Sequence, residues 1–371
     1  NPRDIGTSGH DDSFSWDRTV NPYGRDKIEE YMLNKVKPDF DGATLSWLQS
    51  DGKDEEQTDG IGATAINNFL DEFSQSDENF FLAYGLFRPH IPFVAPKKYF
   101  DMYDIKDFSV PQSSDSYLST IPKPAAISVR SRKEQIDLDP YLAATIKHAY
   151  YATTTFMDAQ IGRVIKKLKD TGLDKNTIIV FTSDHGYHLG DHGHWQKQTL
   201  FENATRVPLI FSGPGITQYL ESIDDPVELI DIYPTIMDLI GMKTPPFVSG
   251  KSLISYFDNK NADVRTNALT ELQVNIDGKK VQGYGIKTKR YRLNRWFFNG
   301  SYEYELYDHK YDSEELLNLA QTRSYISLRD SLSMVLSERV KQARKKPNGI
   351  GRQFNNVKPI NDPKRLYSKK R

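Results

Sequence analysis

Thr177-Ile-Ile-Val-Phe181 runs straight into Thr182-Ser-Asp-His-Gly-Tyr-His-Leu-Gly-Asp-His-Gly-His-Trp-Gln196, with Lys197 immediately after. The first five residues are an apolar, β-branched run that reads as a buried strand. An acid, an imidazole and a glycine follow at once, so metal-seeking groups stand where the strand ends, the place where open α/β sheets put their chemistry. Four of the eight histidines lie in this stretch. The spacing of His188 and His192 resembles a helical zinc pair, but Gly186, Gly190 and Gly193 argue against a helix there. Asp184 and His185 are an oxygen and a nitrogen donor that one strand end can present to one ion, and calcium favours the first as zinc favours the second. Lys197 lies beyond a glycine-rich loop that can fold back over the strand end, and its compact ammonium suits a tetrahedral anion.

Outward from this motif, residues 141–169 predict one long helix with Ile146, Tyr150, Met157, Ile161, Val164, Ile165 and Leu168 on its apolar side, ending at Gly172. Residues 60–73 predict a second helix, and 80–84 a buried strand. Helices between buried strands predict a parallel sheet with right-handed crossovers. Arg88-Pro-His90-Ile-Pro-Phe-Val-Ala-Pro96 contains three prolines that fix φ, so His90 is held in a stiff loop. Downstream, 207–211 reads as a strand and 229–240 as a helix in which Pro234 predicts a kink or a late start. The texture changes near residue 262. Residues 270–274, 284–293 and 302–307 predict antiparallel strands, and 328–345 a closing helix. The expected fold class is α/β, a mostly parallel sheet flanked by helices over 1–262, followed by a smaller α+β domain on an antiparallel sheet over 263–371.

Composition narrows the chemistry. The chain has 371 residues, 37% of them hydrophobic, and no cysteine, which excludes disulfides, thiolate zinc sites and a cysteine nucleophile within it. No run approaches the roughly 18 apolar residues of a membrane span, and no signal peptide is visible. The net charge of −1 hides a basic tail: from Arg339 to Arg371 twelve Lys and Arg face one acid, Asp362. A solvated terminus is the simplest reading of that tail, and no nucleic-acid partner is expected.

Seven segments, in order, resemble the formylglycine-dependent sulfatases of the alkaline phosphatase superfamily, most closely the iduronate-2-sulfatase branch. They are His10-Asp-Asp-Ser-Phe-Ser-Trp16, residues 80–93, Phe156-Met-Asp-Ala-Gln-Ile-Gly-Arg163, Phe181-Thr-Ser-Asp-His-Gly186, Arg206-Val-Pro-Leu209, Glu228-Leu-Ile-Asp-Ile-Tyr-Pro-Thr235, and Glu305-Leu-Tyr-Asp308 with 312–320. The resemblance implies an alkaline-phosphatase-like fold and a sulfuric ester hydrolase acting on a sulfated polysaccharide or similar uronic-acid-containing glycan. It implies that Asp184 and His185 are the second pair of metal ligands, with Ca2+ the usual ion and Mg2+ possible. Lys197 matches the lysine that contacts sulfate, and His90 the histidine that bonds the sulfate and leaving-group oxygen. His10, Trp16 and His192 are expected to contact substrate. A periplasmic or extracellular location follows from the family, because polymer substrates lie outside cells.

One part of the family pattern is missing. The nucleophile is a formylglycine made from the cysteine of C-x-P-x-R, or from serine in some bacterial enzymes, and an earlier pair of aspartates supplies the first metal ligands. Neither is in this chain, and the family's layout places both before Asn1. The chain is therefore expected to be a truncated or processed part that works with the N-terminal portion of the same enzyme. Two other readings compete: a phosphodiester or phosphonate hydrolase of the same superfamily, with His188, His192 and His194 enlisted for a second metal, and a domain that binds sulfated glycans without turnover.

Overall fold

The computed structural model describes residues 15–39, 44–110, 115–216, 222–259 and 261–345. His10 and most of the basic tail lie outside these. The chain forms two compact units, the first from the described parts of 1–110 and 138–177 and the second from those of 111–137 and 178–350.

In the first unit, β2 (Ser46–Ser50) lies between β1 (Asn34–Lys35) and β3 (Phe93–Pro96). The β2–β3 pair is parallel, with Trp47 opposite Phe93 and Ser50 opposite Pro96. The connection between them contains α1 (Thr58–Phe73), which buries Ala63, Ile66 and Leu70 at helical spacing. The second helix, α2 (Pro140–Asp170), starts where Asp139 accepts hydrogen bonds from the Tyr141 and Leu142 amides and Pro140 needs no partner for its nitrogen. Its buried stripe is Ala143, Ile146, Ala149, Thr153, Phe156 and Gln160, which is narrower and smaller than the expected apolar side, because Tyr150, Met157, Ile161, Val164 and Ile165 are only half-buried. The expected buried strand at 80–84 is corrected. This run is irregular, its exposure alternates, and Phe81 is 73% exposed. Apolar composition marked the segment, but it has no ladder partner among the described residues. The parallel pair lies instead between β2 and β3.

In the second unit, the expected strand at 177–181 is β4 (Ile179–Thr182), paired antiparallel with β7 (Leu209–Ser212) and half-exposed instead of buried. Between them, β5 (His188–Leu189) and β6 (Trp195–Gln196) form a small hairpin. As Pro234 suggested, α3 (Ile232–Leu239) starts late, after a 3₁₀ turn at Leu229–Asp231.

The C-terminal part is an antiparallel meander, β8 (Asn267–Ile276), β9 (Lys279–Thr288), β10 (Tyr291–Phe298) and β11 (Ser301–Asp308), closed by α4 (Ile326–Ala343). Asp277-Gly278 and Asn299-Gly300 carry positive φ at both positions, as two-residue hairpin turns require. The run 284–293, expected as one strand, is two strands around Lys289–Arg290, a turn with neither Gly nor Asn to mark it. Period-two alternation gives the sheet two buried faces. Ile286, Leu293 and Leu306 meet Leu332 and Leu336 of α4. On the other face Val281, Trp296 and Tyr307 pack under the helical turn Lys123–Val129 and under Leu200 and Phe201. Gly283 makes room for the indole, since a Cβ there would lie 2.4 Å from Trp296.

Glu305 sits on that second face, accepting hydrogen bonds from Trp296 Nε1 and Tyr307 Oη, both at 2.9 Å. Burial pushes its carboxyl up to about 7, and the Glu315 carboxylate adds to this. A raised acid pKa contributes stability that is complete below the ordinary carboxyl value and is lost as pH rises through the folded value. Glu305→Gln is expected to remove this dependence. Between about pH 5 and about pH 8, denaturant titrations should find the variant gaining about 3 kcal/mol on the wild type. Parallel pH curves for the two proteins would show that Glu305 does not titrate in that interval.

Candidate active site

The turn after β4 is shaped by Gly186. Its amide donates to the Ala204 carbonyl at 2.8 Å, and a Cβ would lie 2.1 Å from the Asn203 carbonyl oxygen and 2.7 Å from that of Arg206. Gly186→Ala is expected to cost about 2–3 kcal/mol through overpacking, read as a lowered thermal midpoint. An unchanged midpoint would mean that the turn is not pinned there. Just before it, Asp184 projects outward with its side chain 84% exposed. His185 Nδ1 is 2.7 Å from the Gly186 carbonyl oxygen, which can only accept, so Nδ1 carries the proton and Nε2 the lone pair. That Nε2 lies 3.5 Å from Asp184 Oδ2. Two neighbouring ligands of one calcium-sized ion, each about 2.4 Å from it, stand about 3.4 Å apart at right angles. Donor types, tautomer and spacing all fit a divalent cation.

A second cluster, Glu202, His309 and Glu315, brings three ligand atoms within 4.8 Å of one another. Its positive charge is already supplied by protein. Buried Arg292 pairs through Nη2 with Glu202 and through Nε with Glu315 at 2.5 Å, while His309 Nε2 lies 2.7 Å from Glu315. This is an ion-pair network.

Lys197 directly follows β6, so the hairpin register, His188 opposite Gln196 and Leu189 opposite Trp195, sets its position. Gln196 has φ +82° and donates from Nε2 to Gln135 Oε1 at 3.2 Å. A non-glycine residue in that region is strained and persists only where its surroundings hold it. Burial draws the half-buried Lys197 ammonium below its ordinary pKa; the Asp184 carboxylate opposes this and Arg132 adds to it. The hairpin agrees with the glycine-based rejection of a helix. His192, expected to touch substrate, is corrected: it is 4% exposed, stacked on Phe201 at 3.9 Å and hydrogen-bonded to Tyr117 Oη. Its backbone has positive φ, +59°, at the hairpin tip.

In the first unit, His90 is exposed on a tightly held loop. Its amide donates to the Phe87 carbonyl, and Nδ1 lies 2.6 Å from the Ile91 carbonyl oxygen, which makes Nε2 the basic nitrogen. Arg88 and two acids anchor the loop. Arg88 is buried, pairs with Asp26, and donates from Nη1 to the carbonyls of His90 and Pro92. Asp59 accepts from the Phe87 and Arg88 amides at 2.9 and 3.0 Å, and burial pushes its carboxyl up despite Arg88. Trp16 stacks on Phe81 with ring centroids 5.6 Å apart. Sequence reasoning missed Asp26, Asp59 and Arg132. Arg88 stood in the quoted stretch, but no local motif signalled partners that lie 62 and 29 residues away from it.

Comparisons with known proteins bear on the family and the fold. Residues 7–242 match the sulfatase family model, and 190–345 match the model described as N-sulphoglucosamine sulphohydrolase, C-terminal. A sulfatase of Formosa agariphila is 34% identical over 284 residues, covering 73% of this chain and 52% of that protein. The iduronate 2-sulfatase of Homo sapiens is 30% identical over 295 residues, covering 61% of this chain and 54% of that protein. Among solved structures, a phosphonate monoester hydrolase from Silicibacter pomeroyi superposes with a TM-score of 0.68 at 26% identity, covering 84% of this chain and 65% of that one. The chain thus spans about half the length of the first two relatives. The strand end with its Asp-His pair, the alkaline-phosphatase-like fold and a family match over more than half the residues lead to one conclusion: this chain belongs to the sulfatase family.

Proposed function

We propose that the chain supplies part of the active site of a sulfuric ester hydrolase that removes sulfate from a sulfated, uronic-acid-containing carbohydrate. The observation that carries this reading is the Asp184–His185 pair, whose lone-pair nitrogen and carboxylate oxygen stand 3.5 Å apart at a strand end. These two residues would hold a calcium or magnesium ion, which when bound supplies positive charge to the sulfuryl oxygens. The Lys197 ammonium offsets charge on the same type of oxygen. His90, with Nδ1 committed to a carbonyl, can hold a proton at Nε2 and deliver it to a departing sugar alkoxide. Trp16 and His10 are proposed sugar contacts.

The nucleophile, a formylglycine, is proposed to come from a portion of the same enzyme outside this chain. The greater length of the relatives supports this. So do large apolar side chains of the second unit that stand in solvent: Ile210 at 54%, Ile230 at 52%, Ile240 at 50% and Met242 at 56% exposure. Exposed apolar side chains of this size suit cover by another segment. Residues 1–262 are proposed to belong to the main domain of that enzyme and 263–371 to a smaller subdomain. Among the described residues no helix is long and apolar enough to cross a membrane. A periplasmic or extracellular place remains a proposal, resting on the site of polymeric substrates.

The test is turnover by the complete enzyme on a sulfated uronic-acid oligosaccharide and on a phosphonate monoester, before and after chelation. Sulfate release that chelation abolishes and calcium restores is expected. A higher kcat/KM on the phosphonate would move the reading to the hydrolase represented by the Silicibacter structure. Tight binding of the oligosaccharide with no release would leave only a binding role.

A further inference from the structure

We propose that His188, His192 and His194 are positioning residues for Lys197, a layer of buried imidazoles that fixes the hairpin and the turn carrying the ammonium. This rests on the reading of Lys197 as the group that meets sulfate.

All three rings are inside, at 0, 4 and 3% exposure. They pack edge to face, with His188 centred 5.0 Å from His194 and 5.8 Å from His192. Each grips a different element. His188 Nε2 lies 2.7 Å from Thr199 Oγ1, and the Thr199 amide donates to the Lys197 carbonyl at 2.9 Å. The first strand of the hairpin thereby holds the residue two beyond the lysine. His194 Nδ1 donates to the Val129 carbonyl at 2.7 Å, tying the residue just before the second strand to the helical turn Lys123–Val129. His192 closes the hairpin tip against Phe201 and Tyr117, which belong to the layer packed on the four-stranded sheet. Lys197 is therefore clamped before and after its own position, and the strained Gln196 beside it is what such a clamp maintains.

Charging any of the three rings carries a burial cost, because all of them are inside. Burial holds all three below the ordinary imidazole value, His194 at about 4. The other imidazoles push His188 down further while Asp191 opposes. Glu315, Asp191 and Asp312 oppose the shift of His192. His194 is supported by the Val129 carbonyl and opposed by His192 and Arg132. The depressed values give the sign: the stability these buried rings contribute is complete above the ordinary imidazole pKa and is lost as pH falls through the folded ones.

The experiment uses the complete enzyme with His188→Gln, His188→Ala, Thr199→Val and the double variant His188→Ala/Thr199→Val. Glutamine reaches the point where imidazole Nε2 stands, and valine removes only the hydroxyl of threonine. Two readouts are taken: kcat and KM for the sulfate ester, and the rate of Lys197 acylation by acetic anhydride, followed by peptide mass spectrometry. His188→Ala and Thr199→Val should each lower kcat by about tenfold or more, since a small displacement of a catalytic group is costly. KM should stay within about threefold, Lys197 acylation should quicken, and the double variant should be no worse than either single. His188→Gln should restore both readouts. Unchanged acylation and kcat in Thr199→Val, or fully additive losses, would overturn the proposal. If Lys197→Ala retains full turnover, the catalytic reading of Lys197 fails instead, and the acylation rates still decide whether the imidazoles position it.

Discussion

Alanine at position 184 of the complete enzyme is expected to strip the divalent cation and to lower kcat/KM by about 10³-fold or more. The thermal midpoint of the metal-free protein should barely move. Both halves of this prediction come from the same geometry. The Asp184 side chain is 84% exposed and its protein contacts are slight: Ser183 Oγ at 3.5 Å, the His185 amide at 3.1 Å and His185 Nε2 at 3.5 Å. Little folding energy depends on it, whereas a hard cation loses its only charged ligand from this pair. Asp184→Asn keeps the shape and removes the charge, so it should retain part of the affinity. Metal analysis after gel filtration checks the claim. Full occupancy in Asp184→Ala would place the cation elsewhere.

Lys197→Ala should reduce kcat/KM by about 10²–10³-fold with the fold intact, the loss expected when one preorganised positive group facing developing charge is removed. The pH profile carries a second signature. Burial lowers the ammonium's pKa, so the alkaline decline of kcat/KM should come earlier than an ordinary lysine would give. Lys197→Arg stays charged throughout and should abolish that decline while still losing rate, because a planar fork does not replace a compact ammonium. Global unfolding of Lys197→Ala in a thermal melt would reassign the residue to structure.

The Asp184–His185–Gly186 turn was legible because a strand end concentrates its information locally: apolar run, donors, then the glycine that close backbone approach demands. The helices were legible through periodicity, with the delay imposed by Pro234. Four things were not. The run at 80–84 has strand composition, but a strand exists only where a neighbour offers its hydrogen bonds. The Lys289–Arg290 turn carries no turn residue, so two strands read as one. His192 was expected to contact substrate, but its burial depends on Phe201 and Tyr117, contacts that no local pattern announces. The anchors of His90 were hidden for the same reason, since Asp26 and Asp59 become partners of Arg88 only through the fold.

The four-stranded sheet, with α4 on one side and the base of the lysine hairpin on the other, makes a region without any candidate ligand into the foundation of the chemistry. Inherited or engineered changes at Leu293, Leu306 or Leu336 would then reduce how much working protein a cell holds and leave each surviving molecule's turnover intact. Such losses would respond to lower temperature or to a bound stabiliser, while those at the strand end would not.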